Sequence, residues 1–130
     1  MSKNKITLIV EKTNTGFSAY SNNYPIFTTG KSIPELINSA YEATEFYFEE
    51  ENVKVEPNDI KFEMDFKQFF TYYKVINAKF LAKKIGMNAT LLSQYVSGTK
   101  KPSSKQTEKI LRGIHQIGQE LSEINLFQTS

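Results

Sequence analysis

Short runs of apolar and β-branched residues dominate the first 30 positions of the chain. Residues 6–10 are almost all of this kind, and residues 17–20 alternate after a turn signal at 14–16. A third short run covers residues 26–29 and ends at Gly30. Runs of this length, separated by turn residues, predict three strands, of which the first two form a hairpin.

The spacing of apolar residues then changes from that of a strand to that of a helix. Ser32, Pro34 and Glu35 predict a capping box, in which the Ser32 oxygen accepts a hydrogen bond and the Glu35 carboxylate bonds back to the Ser32 amide. Proline is tolerated in a first helical turn because its missing N–H is not needed there. The apolar stripe that follows predicts a helix to about Glu50.

A fourth strand is predicted after the polar segment 52–59. Apolar residues at 60, 62, 64 and 66 alternate with charged ones, which is the period of a strand with one solvated face. The order β-β-β-α-β predicts a helix packed on one face of a mostly antiparallel sheet.

The second half of the chain has helical spacing throughout. We predict helices over residues 70–76, 78–85, 89–97 and 104–122. The predicted fold class is therefore α+β, with two domains at residues 1–67 and 68–130. No Gly/Ser-rich linker separates them.

Charge divides along the same boundary, although the whole chain of 130 residues carries only +2. Residues 1–68 hold seven lysines and eleven acidic residues, a net charge of −4. Residues 69–130 hold nine basic and three acidic residues, a net charge of +6. This asymmetry predicts different partners for the two halves and makes nucleic acid a candidate for the basic one.

The composition excludes some classes of protein. The chain has no cysteine, which rules out disulfides and thiolate zinc sites. No apolar run approaches the roughly 18 residues that cross a bilayer. We expect a cytoplasmic protein without a membrane partner, a metal or a cofactor.

The segment 81–88 predicts two helices joined by a tight turn. Gly86 suits the left-handed conformation that ends a helix, and Asn88 is a favourable N-cap for the next one. Leu92 and either Tyr95 or Val96 are predicted to face inward. A short turn with glycine between two helices is typical of helix-turn-helix DNA-binding units.

The outward face of the second of these helices has the chemistry of a base-reading surface. Gln94 can bond an adenine edge, Thr90 can bond a base or touch a thymine methyl, and Ala89 can pack on that methyl. Neighbouring polar and basic groups are candidates for holding phosphate. The candidates are Lys83, Ser93, Thr99, Lys100 and Lys101, and Lys79 and Lys84 add charge nearby. The alternative is ordinary helix packing with a solvated polar face and a basic loop.

This stretch resembles the Xre/Cro-like helix-turn-helix family. The resemblance rests on residues 80–86 and 88–95 with Gly98 and Pro102, and it covers about 70–122. It implies a bundle of four or five helices and a dimer that reads two half-sites of a palindromic operator. It places base reading on Ala89, Thr90 and Gln94 and a phosphate contact near Asn77. Leu121 to Phe127 is a candidate surface for pairing with a second copy, in a homodimer or a higher homo-oligomer.

The first half resembles HicB, the antitoxin of HicA–HicB toxin–antitoxin pairs. The resemblance rests on the strand 6–11, the hairpin arm 16–20, Tyr24-Pro25, and the segment 29–43. It implies a partial RNase H-like fold without nuclease activity, which binds a small basic ribonuclease toxin of the HicA type. It also implies repression of the pair's own operon through the second domain. The toxin-binding residues stay unassigned.

Two other functions remain open. One is a stand-alone Xre-like transcriptional regulator whose first domain senses a ligand or mediates assembly. The other is a metal-dependent nuclease, for which Glu11, Glu63 and Asp65 are the candidate ligands. Solvated strand faces explain these acidic residues better, so we do not expect an enzyme.

Overall fold

A four-stranded mixed sheet organises the first part of the chain. The computed structural model describes residues 5–127. The strands are β1 (Ile6–Thr13), β2 (Gly16–Tyr20), β3 (Phe27–Gly30) and β4 (Ile60–Met64), in the spatial order β3-β2-β1-β4. β2 pairs antiparallel with both β1 and β3, whereas β1 pairs parallel with β4. The α+β class and the β-β-β-α-β order agree with the sequence prediction.

One long helix, α1 (Ile33–Glu49), crosses between β3 and β4 and covers one face of the sheet. Its buried residues Leu36 and Ala40 join a core with the sheet residues Leu8, Val10 and Ala19. The Ser32 side chain caps the helix by accepting from the Glu35 amide at 3.3 Å. Burial of this apolar stripe, at about 25 cal/mol per Å², is the main stabilising contribution of the helix.

The partner of the Glu35 carboxylate differs from the prediction. Glu35 accepts a hydrogen bond from the Lys31 amide at 3.0 Å, one residue before the expected Ser32 amide. The carboxylate therefore satisfies the amide that precedes the N-cap, so only the Ser32 half of the predicted capping box forms.

A short helix, α2 (Phe66–Tyr72), replaces the end of the predicted fourth strand and the predicted helix at 70–76. Asp65 starts it early, because its side chain accepts from the Gln68 amide at 3.0 Å. The helical spacing of Phe66, Phe69 and Phe70 then buries all three aromatic side chains. The Phe69 and Phe70 rings meet edge to face, with their centroids 5.4 Å apart.

The chain divides into two compact units between Tyr72 and Tyr73. The division falls slightly later than the boundary after residue 67 that we drew from the sequence, because α2 belongs to the first unit. The Gln68 side chain holds α2 to the end of β1: it accepts from the Lys12 amide at 2.9 Å and donates to the Lys12 carbonyl at 2.7 Å.

The second unit is helical, with α3 (Ala78–Ile85), α4 (Ala89–Ser97) and α5 (Ser104–Ser122). Asn77, Asn88 and Ser103 cap the three N-termini through their side-chain oxygens. The buried residues include Leu81, Ala82, Leu92, Tyr95 and Ile110. Within residues 5–127, no helix is long and apolar enough to pass through a membrane.

Candidate nucleic-acid interface

The turn between α3 and α4 is fixed by local hydrogen bonds. Gly86 has φ 69° and ψ 34°, the left-handed conformation that ends α3. The Met87 amide bonds back to the Ala82 carbonyl at 2.9 Å, and Met87 itself is buried. The Asn88 Oδ1 then accepts from the Leu91 amide at 3.1 Å and starts α4. Both the glycine stop and the asparagine cap agree with the sequence prediction.

Two buried residues set the rotation of α4 about its axis. Leu92 is 1% exposed and Tyr95 is 7% exposed, so this face of the helix lies inside the unit. As a result Ala89, Thr90 and Ser93 lie on the exposed side, and Gln94 is half-buried at its margin. Two of the three candidate base-reading residues, Ala89 and Thr90, are therefore exposed on a single capped helix, and Gln94 lies at the edge of that surface.

The candidate phosphate-binding residues are exposed. Lys83 lies near the end of α3, and Thr99, Lys100 and Lys101 lie just after α4. Asn77 is exposed as well, but its Oδ1 accepts from the Phe80 amide at 2.9 Å. This bond leaves the side-chain NH₂ group of Asn77 able to donate to a phosphate.

The loop after α4 folds back on the helix, a feature that the sequence did not reveal. Gly98 ends α4 with φ 82°. The Lys100 amide donates to the Gln94 carbonyl at 3.2 Å, and the Ser97 and Thr99 hydroxyls lie 2.8 Å apart. The Lys100 amide is thus already used within the protein, so this loop offers side-chain ammonium groups to phosphate more than a row of amides.

Lys84 was expected to add positive charge near the candidate phosphate-binding residues, but it forms an ion pair within the protein. Its ammonium lies 2.7 Å from the Glu120 carboxylate, and its side chain is only 22% exposed. This ion pair connects α3 with α5. Lys84 therefore stabilises the packing of these two helices. Because the Glu120 carboxylate compensates its charge, Lys84 contributes little to a phosphate-binding surface.

Two of the three carboxylates considered for a nuclease have other contacts. The Glu63 carboxylate lies 3.4 Å from the Lys61 ammonium, and Asp65 caps α2. In the part of the chain that the structure describes, no group of three or more acidic, histidine or cysteine residues could hold a metal ion. These contacts give the nuclease alternative no support.

The exposed part of α4 and its following loop combine uncharged hydrogen-bonding groups with lysines. Such a surface can contact base edges and phosphates at once. No protein-family model, curated protein or solved structure matches this chain at a significant level. The function therefore rests on the geometry and chemistry of the chain's own residues.

Proposed function

We propose that the second unit is a helix-turn-helix domain that binds double-stranded DNA, with α4 in the major groove. The observation that carries the proposal is the orientation of α4. Leu92 and Tyr95 bury one side, while Ala89 and Thr90 lie exposed on the other. A helix held in this way can present short uncharged side chains to base edges at a fixed depth.

Charge around α4 supports the same proposal. Lys79 and Lys83 lie on α3 and are exposed, and Lys100 and Lys101 follow α4. Lysines on either side of an uncharged helix surface can hold the phosphates that flank a groove. The uncharged side chains are then left to contact the base edges in the groove. The net charge of +6 on this half of the chain would also speed the encounter with DNA.

For the whole protein we propose an antitoxin of the HicB type, which represses its own operon and neutralises a small basic ribonuclease of the HicA type. The succession of a β-β-β-α-β unit and a helical unit supports this proposal. So does the net charge of −4 on the first half, since complementary charge favours a basic partner. An antitoxin of this kind would restore growth when it is co-expressed with the ribonuclease.

A stand-alone regulator would share the DNA-binding surface but would have no ribonuclease partner. Binding of the product of the adjacent gene therefore separates these two functions.

The DNA-binding proposal is tested at Gln94. We expect Gln94→Ala to weaken binding to the protein's own promoter by about 1–3 kcal/mol and to leave binding to a random duplex unchanged, because base contacts act only on the correct sequence. Mobility-shift titrations on both duplexes measure this difference.

Lys100→Ala combined with Lys101→Ala is the matched comparison. It should weaken binding to both duplexes and reduce the slope of log K against log salt by about 0.9 for each phosphate that the variant no longer neutralises. Equal effects on both duplexes for Gln94→Ala, or an unchanged slope for the lysine variant, would contradict the proposed orientation.

A further inference from the structure

The outer edge of β3 is open to pairing within the described residues. β3 is the last strand of the sheet and pairs only with β2. The Ser21 amide donates to the Ile26 carbonyl at 3.1 Å, which shows which residues of this segment turn their N–H and C=O groups toward β2. Since inward and outward bonds alternate along an antiparallel strand, the N–H and C=O groups of Phe27 and Thr29 point away from β2. This edge can accept one more strand.

A groove of about 640 Å³ runs beside this edge. Residues 25–28 line one side, and a single face of α1 with its C-cap lines the other. The α1 side includes Ala43 and Phe46 in its centre and Glu42 and Glu50 on either side of them. The groove thus combines an open strand edge, an apolar wall and two carboxylates.

Two of the three aromatic residues that line the groove are largely exposed. Phe46 is 70% exposed and Phe27 is 66% exposed. Exposed aromatic side chains beside a groove are typical anchors of a protein–protein interface. α1 carries glutamates at several positions and no lysine or arginine, so the charge of this wall is uniformly negative.

The spacing along α1 matches that of an extended chain. Glu42, Phe46 and Glu50 are four residues apart in turn, which corresponds to about 6 Å for each step along a helix. Alternate residues of a strand are about 6.6 Å apart on one face. An extended segment whose alternate residues are basic, apolar and basic would therefore place one of these side chains opposite each of the three α1 residues.

We propose that this groove binds an extended segment of a basic protein, which adds to β3 as a fifth strand and carries the pattern basic-x-apolar-x-basic. The identity of that protein as the ribonuclease partner rests on the function proposed above. Pairing of β3 with β3 of a second copy fits less well, because the acidic walls of the two copies would repel each other. The segment is held by main-chain hydrogen bonds to β3 and selected by the α1 side chains.

A synthetic peptide, Thr-Lys-Thr-Val-Thr-Lys-Thr, tests the groove on the full-length protein. We expect it to slow hydrogen exchange of the Phe27 and Thr29 amides, and we expect its counterpart with glutamate in place of lysine to have no effect. Glu42→Lys combined with Glu50→Lys should weaken binding of the lysine peptide by about tenfold or more at low salt, since both contacts become repulsive.

Glu45→Lys combined with Glu49→Lys is the matched control. It makes the same change of charge on the same helix, at two positions that do not line the groove. An equal loss of binding in this control, or protection of amides elsewhere, would overturn the proposal. So would the absence of peptide binding, or a protection of Phe27 and Thr29 that rises with protein concentration alone, which would assign the edge to a second copy.

The product of the adjacent gene, which is a ribonuclease under the function proposed above, separates the two proposals. If it binds the wild type but not the Glu42/Glu50 variant, both stand. If it binds both proteins equally, the antitoxin function stands and the groove is not its site. If the lysine peptide binds in the groove and the ribonuclease does not bind at all, the groove stands and the antitoxin function fails.

Discussion

Thr44 is a polar residue buried among the apolar residues of α1. It is fully buried on the core side of α1, and its Oγ1 has no hydrogen-bond partner within the described residues. A buried hydroxyl without a partner costs about 1–3 kcal/mol relative to one that is bonded. This residue therefore lowers the stability of the first unit without an evident local compensation.

We expect Thr44→Val to raise the free energy of unfolding by about 1 kcal/mol, because valine keeps the branched shape and removes the unpaired hydroxyl. Urea unfolding of the two proteins measures the difference. Thr71→Val is the control: the Thr71 hydroxyl is exposed and donates to the Lys67 carbonyl at 2.7 Å, so no such gain is expected there. A loss of stability in Thr44→Val would mean that the hydroxyl has a partner after all.

Single residues with strong local preferences were predictable from the sequence. The caps at Ser32 and Asn88 and the left-handed Gly86 all lie where their residue types suggested. These features depend on interactions over three or four residues. The ion pair between Lys84 and Glu120 was not predictable, since it joins residues that only the packing of α3 and α5 brings together.

At the scale of elements, the sequence prediction was wrong where two patterns overlap. The alternation that begins at Ile60 continues to Phe66, so a longer strand was the natural interpretation. The strand ends at Met64 because Asp65 caps a helix and Gln68 holds that helix against β1. The contact with Lys12 spans more than fifty residues, and no local period reveals it.

The crossing of α3 and α5 depends on a glycine. A Cβ on Gly113 would contact the Ile85 side chain and lie 3.2 Å from Leu81 Cδ1. In an open helix, alanine is more stable than glycine by up to about 1 kcal/mol. Here the clash should outweigh that gain, since overpacking a core costs about 1–3 kcal/mol.

We therefore expect Gly113→Ala to destabilise the second unit by about 1 kcal/mol, measured by hydrogen exchange of the α3 and α5 amides. Gly118→Ala in the same helix should do the opposite, because a Cβ there meets nothing within 4 Å. The same sign of change at both positions would contradict the close approach of α5 to α3.

At the scale of the whole molecule, the end of the second unit is unusually apolar for a surface. Leu121, Ile124, Leu126 and Phe127 are all exposed, and Glu123 is the one charged residue between them. Two copies can therefore meet here without much like-charge repulsion, in a self-complementary contact. Such a pair would also suit a palindromic operator.

We expect Leu121→Asp combined with Ile124→Asp to convert a dimer into a monomer, as measured by sedimentation velocity. Val75→Asp is the control, because Val75 is an exposed aliphatic residue of the same unit outside this cluster. A wild-type protein that stays monomeric at all concentrations, or variants that all dimerise equally, would rule out this contact.

The charge of the two halves was visible in the sequence, whereas the groove beside β3 was not. The groove needs β3 to be an edge strand and needs one face of α1 to lie along it. Phe46 was the available signal, because it stands four residues from both Glu42 and Glu50 on one face of the helix. Its exposure could be judged only after the packing of α1 was known.

The parallel pairing of β1 with β4 also bears on how the protein is made. β1 leaves the ribosome before β4, its parallel partner, which ends at Met64. Until that residue has emerged, β1 and β2 can form their hairpin while the other edge of β1 stays unpaired and prone to aggregation. Translation of the first unit therefore contains an interval in which a stalled or truncated chain would be a substrate for chaperones and proteases.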